Sequence, residues 1–134
     1  MSTYNNRALL ANRIIKFAVV GATGVLINTA ALYLGHDVAH LPLVVASVIA
    51  VEMAILNNFV LNNAWTFGQR NFALERLFQF HLVSLGGLVI TVVVLTGLVQ
   101  LFGLYYLIAN LVAIGFATAW NFVANSLWTW SGTL

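Results

Sequence analysis

The sequence predicts an all-helical integral membrane protein, with four transmembrane helices arranged as two repeated hairpins, and three observations carry that prediction. Of its 134 residues 62% are hydrophobic and only 6% charged, with a mean hydropathy of +0.98. Soluble domains carry about 25% charged residues, and a chain this short has too little interior to hide so much apolar surface. Four apolar stretches, about residues 14–35, 41–63, 78–101 and 104–127, each supply the roughly 20 helical residues that cross about 30 Å of hydrocarbon. The chain also repeats: shifted by 63 positions, residues 6–67 fall on residues 69–130 without a gap. Helices are expected throughout, including the β-branched run "VITVVV", because an open sheet edge in lipid leaves backbone groups unpaired.

Taken in order, "MSTYNNRALLANR" is a polar, basic lead-in with no small-residue cleavage pattern after it, and it reads as a cytoplasmic segment, not a removable signal. The first span ends at the turn "GHDVAHLP". Pro42 opens the second span, where its missing N–H costs least. That span closes on "NNFVLNNAWTF", residues 57–67. After a basic loop at 68–76 come the third span, the turn "QLFGLYY", and the fourth span, which closes on "WNFVANSLWTW", residues 120–130. A single domain over residues 1–134 is expected, built from repeats 6–67 and 69–130. Two spans per repeat preserve direction, so the repeats are expected to be parallel, related by an axis along the membrane normal.

Charge sets the expected orientation. Arg7, Arg13, Lys16, Arg70 and Arg76 all lie before or at the very start of the first span or between the second and third, and the other two turns hold no Lys or Arg. The positive-inside rule then puts both termini and the 68–76 loop in the cytoplasm of a cell bounded by its inner membrane. Trp65, Trp128 and Trp130 fall in the inner interfacial belt as anchors, and Tyr33, Tyr105 and Tyr106 in the outer one.

Ala46, Ala50 and Ala54 align with Ala109, Ala113 and Ala117 in the second repeat, and Gly24 with Gly87. A small residue every fourth position lets helix backbones approach closely in lipid, so these are packing positions, and the ridges suggest that spans two and four meet. The same ridge continued brings Asn58 and Asn62, and their mates Asn121 and Asn125, to the cytoplasmic end. An unpaired amide in an apolar setting costs roughly 2–7 kcal/mol on transfer scales, so the four need partners. Either they bind one another and helix-terminal carbonyls, or they line a polar notch for the head group of an amphiphile. In the second case Arg13 and Arg76, just outside the spans, supply charge for a phosphate. Taken alone, the arginines serve equally as topology signals that snorkel toward anionic lipid.

Glu52 is the one ionisable residue deep in a span, and its repeat mate is Gly115. It is either a hydrogen-bonded structural acid with Asn28 as partner, or a group that carries a proton or contacts a sugar hydroxyl. His36, Asp37 and His40 read as a solvated turn lacking a third metal ligand, and His81 as an interfacial packing residue. With no cysteine, Ser/His/Asp set, carboxylate pair or nucleotide-binding loop, no cofactor, metal, catalytic residue or enzymatic activity is expected, nor a nucleic-acid partner.

The segments "KFAVVGATGVLINTAALYL", "AVEMAILNNFVLNNAWTF" and "WNFVANSLWTW" together resemble the GtrA-like family of small four-span proteins, over nearly the whole chain. Lys16, Phe17, Gly21, Gly24, Asn28, Asn58, Phe59, Asn62, Trp65 and Phe67 match the first-half pattern. In the second half Gln79, Ser84 and Thr91 replace the basic residue, the first glycine and the Asn. The resemblance implies translocation of a polyprenyl-phosphate-linked sugar, such as an undecaprenyl carrier, for cell-surface polysaccharide synthesis, with Lys16 and Asn28 joining the head-group set. It equally implies membrane support for a partner glycosyltransferase. A homodimer is expected from the small-residue faces and the small transmembrane surface. A proton-coupled exporter ranks last, since such exporters show little Lys/Arg bias and carry their acid on the first span.

Overall fold

The computed structural model describes residues 2–132, with side chains from Asn5 onward; residue 1 and residues 133–134, the ends of the expected domain, lie outside the described residues. The chain forms α1 (Ser2–Tyr33), α2 (Leu43–Leu61), α3 (Leu74–Phe102) and α4 (Tyr106–Ala124). A five-residue π-helical turn extends α1 (Leu34–Val38), α2 (Asn62–Thr66) and α4 (Asn125–Thr129). Four apolar helical stretches, Asn5–Val38, Leu43–Thr66, Leu74–Phe102 and Tyr106–Thr129, are each long enough to cross a membrane, and the protein is a multi-pass membrane protein.

The helices extend beyond the apolar stretches. α1 begins at Ser2 and not near residue 14, because residues 2–13 contain neither Gly nor Pro and are rich in helix-forming Ala, Leu and Arg. Hydropathy marks where a helix enters lipid, not where its hydrogen bonds start.

Two compact units divide between Phe72 and Ala73. In each, two helices form a hairpin with a turn end and an open end. At the first turn His40 takes the left-handed conformation, φ 56°, and Pro42 starts α2. At the second, Gly103 takes it, φ 65°, and Tyr105 starts α4 with φ −58° and ψ 129°, close to the −53° and 138° of Pro42. His40 and Gly103 are 63 positions apart, so the repeat extends to the turn backbone. A left-handed residue with a Cβ costs about 1 kcal/mol. His40→Gly is therefore expected to be neutral to stabilising by up to about 1 kcal/mol in detergent unfolding, a gain trimmed by glycine's unfolded-state entropy.

The hairpins are built inside out relative to a soluble fold. Leu26, Leu88 and Leu111 are 70%, 59% and 70% exposed, as lipid-facing side chains should be. The interior instead holds Ala46 and Ala50 in the first hairpin and Ala109, Ala113 and Ala117 in the second, together with Asn62, Asn63, Thr66, Asn125, Ser126 and Thr129. The alanine ridge is buried in both hairpins, and in the first it runs along the seam between α2 and the chain of α1. A Cβ on Gly35 would lie 3.1 Å from that of Ala46, and Ala54 faces α1 across a shared groove. At the open ends aromatic rings close the seam: Phe72 meets Phe59 edge-on with centroids 5.5 Å apart, and Phe80 meets Trp130 at 5.7 Å.

Candidate functional site

Gly21, Gly24, Val25 and Asn28 on α1 recur at helical spacing, as do Val51, Ala54, Ile55 and Asn58 on α2, and the two sets line one groove of about 260 Å³. Residues 30 positions apart in sequence, Asn28 and Asn58, thus share a cavity. Asn58 lies eight residues from the end of its span, about 12 Å along the helix, so the groove sits at membrane depth. Its amide rests on Gly24, where a methyl group would collide with it. Gly21 has nothing within 4 Å of a Cβ position, which leaves that side of the groove open.

A short hydrogen-bond chain holds the Asn58 amide. Asn57 Nδ2 donates to Asn58 Oδ1 at 3.4 Å and, across the hairpin, to Thr23 Oγ1 at 3.0 Å; Thr23 Oγ1 donates to the Val20 carbonyl at 2.7 Å. Asn28, half-buried, makes no hydrogen bond among the described residues. The groove therefore presents an amide ready to give and take hydrogen bonds where lipid offers none.

Toward the open end, Arg13 and Lys16 stack on the chain that leaves α2. Lys16 Nζ lies 5.4 Å from the Trp65 ring centroid and donates to the Trp65 carbonyl at 3.5 Å, while the Arg13 guanidinium sits 6.0 Å from the Phe67 ring centre. Such contacts hold a cation in place for about 0.5–1 kcal/mol at exposed sites while leaving its other N–H donors available. Arg76 is half-buried near the start of α3.

Below these cations the π-helical turn buries Asn62 at 2% exposure. Its Oδ1 accepts from Thr66 Oγ1 at 2.7 Å, and its carbonyl from the Phe67 N–H at 2.9 Å. Asn125 repeats both bonds, from Thr129 Oγ1 at 2.7 Å and from the Trp130 N–H at 2.9 Å. Asn63 Nδ2 donates to the carbonyls of Gln69 and Asn71, at 3.4 and 3.3 Å, which pins the connecting segment.

The second hairpin differs at the matching positions. Asn121 rests on Gly87, whose Cβ would lie 2.7 Å from its Oδ1. Trp120 replaces Asn57 and donates from Nε1 to the Val83 carbonyl at 3.0 Å, its ring seated on Gly86, which replaces Thr23. Ser84 and Thr91 turn their hydroxyls back to Phe80 and Gly87 of their own helix, at 2.9 and 3.0 Å. The groove here, about 380 Å³, is apolar, between Leu82, Val83, Trp120, Val123, Ala124, Leu127 and Trp128. Asn121 Oδ1, Asn125 Nδ2 and Ser126 Oγ are buried without a hydrogen bond among the described residues.

Of the expected head-group set, the structure brings Asn28 and Asn58 into one groove and puts Arg13 and Lys16 at one open end, while Asn62 and Asn125 are interior and tied to threonines. Glu52 is exposed, about 140° around α2 from the middle of the Ala46/Ala50 seam, and Asn28 is not its partner. Trp65 and Trp128 are each 48% exposed at the open ends. His36 Nδ1 lies 3.0 Å from the Leu41 carbonyl and His81 Nδ1 3.1 Å from that of Leu77, both local contacts. Sequence reasoning passed over Thr23, Asn57, Thr66, Thr129 and Trp120. The signal for three of them lay in the repeat: Thr23 with Asn57 in one half becomes Gly86 with Trp120 in the other, a paired exchange in which one side shrinks as the other grows.

Residues 16–130 match the family model described as the GtrA/DPMS transmembrane domain. Over 122 residues, 90% of its length, the chain is 40% identical to a dolichol-phosphate mannosyltransferase of Pyrococcus furiosus, and it spans 34% of that relative's length.

Proposed function

We propose, on the premise that the chain belongs to the GtrA/DPMS transmembrane-domain family, that it carries a polyprenyl-phosphate-linked sugar across the membrane in which it sits. The observation that supports this most is the Asn28/Asn58 groove at membrane depth, with Arg13 and Lys16 toward its open end. The isoprenoid tail stays in lipid, so only the sugar and phosphate need polar contacts. The amides exchange hydrogen bonds with sugar hydroxyls and the cations neutralise phosphate. The cluster of basic residues makes the open ends cytoplasmic, with N- and C-termini inside at an inner membrane. On this reading the chain binds and moves its lipid and catalyses no covalent step.

Reconstituted protein is expected to speed the movement of a labelled polyprenyl-phosphate monosaccharide between leaflets. Asn28→Leu and Asn58→Leu should each slow it by about tenfold, the worth of one hydrogen bond, while Thr91→Val leaves it unchanged. Folded protein that moves the lipid no faster than empty liposomes would sink the proposal.

A second reading has its own support: the matched relative is about three times as long as the stretch it shares with this chain. The same fold then serves as the membrane module of a glycosyltransferase, here a separate partner. Co-purification with a transferase that mislocalises when this protein is removed, while lipid movement continues, would favour it. A transferase indifferent to that removal counts against it.

A further inference from the structure

We infer that Thr23 and Asn57 are positioning residues: they turn the Asn58 amide so that its NH2 group faces the groove, which becomes a hydrogen-bond donor site for an acceptor oxygen of the head group. A backbone carbonyl can only accept, and that fixes the direction of every bond in the chain. The Thr23 hydroxyl has one proton and donates it to the Val20 carbonyl at 2.7 Å. Towards Asn57 its oxygen is therefore an acceptor, and Asn57 must present Nδ2, at 3.0 Å. The second proton of that Nδ2 reaches Asn58 at 3.4 Å, and the atom it meets must be Oδ1. Asn58 Nδ2 is what remains for the groove that Asn58 lines, and it makes no hydrogen bond among the described residues. Packing does not make this choice, because Oδ1 and Nδ2 both rest on Gly24 at nearly the same distance.

The second hairpin is an internal control. Val83 is the mate of Val20, and its carbonyl is taken directly by Trp120 Nε1 at 3.0 Å. An indole has a single N–H, so nothing is left to give Asn121, whose Oδ1 is buried without a hydrogen bond among the described residues. The same amide on the same glycine is thus clamped in one hairpin and unclamped in the other. The ligand chemistry rests on the lipid-carrier reading, whereas the amide orientation does not. Phosphate and sugar both carry oxygens that accept, and hydrocarbon offers none to compete.

Two measurements in lipid nanodiscs separate these claims. With isotope-labelled asparagine, the Asn57 NH2 protons are expected to exchange with water about tenfold more slowly than those of Asn58, the worth of one hydrogen bond. Thr23→Val should bring the two rates within about twofold, and Thr23→Ser should restore the difference. Equal rates in the wild type, or a difference that survives Thr23→Val, would overturn the clamp whether or not lipid binds. The second measurement is binding of a labelled polyprenyl-phosphate monosaccharide. Asn58→Leu should weaken it about tenfold, and Asn57→Leu about twofold, since an amide free to turn presents its NH2 about half of the time. In the Asn58→Leu background Asn57→Leu should add nothing; a further loss there would overturn the positioning role, because a general loosening of the hairpin adds. The same Asn58→Leu loss with polyprenyl phosphate lacking a sugar assigns the acceptor to phosphate, and a loss confined to the sugar-bearing lipid assigns it to the sugar. Wild-type binding that Asn58→Leu leaves unchanged would overturn the donor site. No binding by folded wild-type protein would instead overturn the carrier reading, with the amide exchange rates still deciding the orientation.

Discussion

Gly24→Ala is expected to destabilise the first hairpin by about 1–3 kcal/mol, whereas Gly21→Ala, three residues away in the same groove, is expected to be neutral or slightly stabilising. Both glycines are in the middle of α1, and both would gain helix propensity from a methyl group. The difference lies in what the methyl meets: at Gly21 nothing within 4 Å, at Gly24 the Asn58 amide. The amide must then leave its seat, which breaks its bond from Asn57 and parts the helices at the groove. Unfolding in mixed micelles measures both variants. Adding Asn58→Ala to Gly24→Ala should recover most of the loss, a coupling that a general effect on α1 does not produce. Gly24→Ala no worse than Gly21→Ala would refute this packing. Gly87→Ala, opposite Asn121, should behave as Gly24→Ala does.

Thr129→Val should cost a similar amount, about 1–3 kcal/mol, by a different route. The Thr129 hydroxyl satisfies Asn125 Oδ1, and Asn125 is wholly buried with its Nδ2 already unpaired. Removing the hydroxyl leaves a complete amide without a side-chain partner in an apolar interior, which costs its desolvation. Replacing both members, Asn125→Leu with Thr129→Val, should cost less than Thr129→Val alone, because no polar group is then stranded. Thr29→Val provides the control: that hydroxyl bonds the Val25 carbonyl at 2.9 Å on an exposed face and should be nearly neutral. Equal losses for Thr29→Val and Thr129→Val would show that the buried pair contributes nothing particular. Thr66→Val, which strands Asn62, is expected to follow Thr129→Val in sign.

Much of the architecture was legible because the relevant physics is local. A run of apolar residues matched to bilayer thickness defines a span. Pro42 and the turn around Gly103 stop and restart helices through their own backbone preferences, and the 63-residue shift exposes the duplication. The helix ends were less legible, since α1 extends about twelve residues before its apolar stretch and the open ends widen into π-helical turns that no propensity signals. Within the site, the amides stood out against their apolar surroundings, but their partners did not. Asn57 and Asn63 have no amide in the second repeat, yet Asn57 bonds across the hairpin to Thr23 and Asn63 bonds the connecting segment at residues 69–71. Divergence between repeats marked specialised positions, not idle ones.

By itself, then, the sequence determined the membrane class, the four helices, the turn positions and the presence of amides at two matching helix ends. All of these follow from hydropathy, chain length and backbone preference along short stretches. Only the tertiary structure decided which face of each helix is interior. In water an amphipathic stripe reveals that face, but in a membrane the lipid-facing and protein-facing sides are equally apolar, and rotation is set by packing. The fit of Asn58 on Gly24 and of Ala46 on Gly35 sets that rotation here. It brings Asn28 and Asn58 into one groove, turns Asn62 inward to Thr66, and leaves Glu52 on the outside.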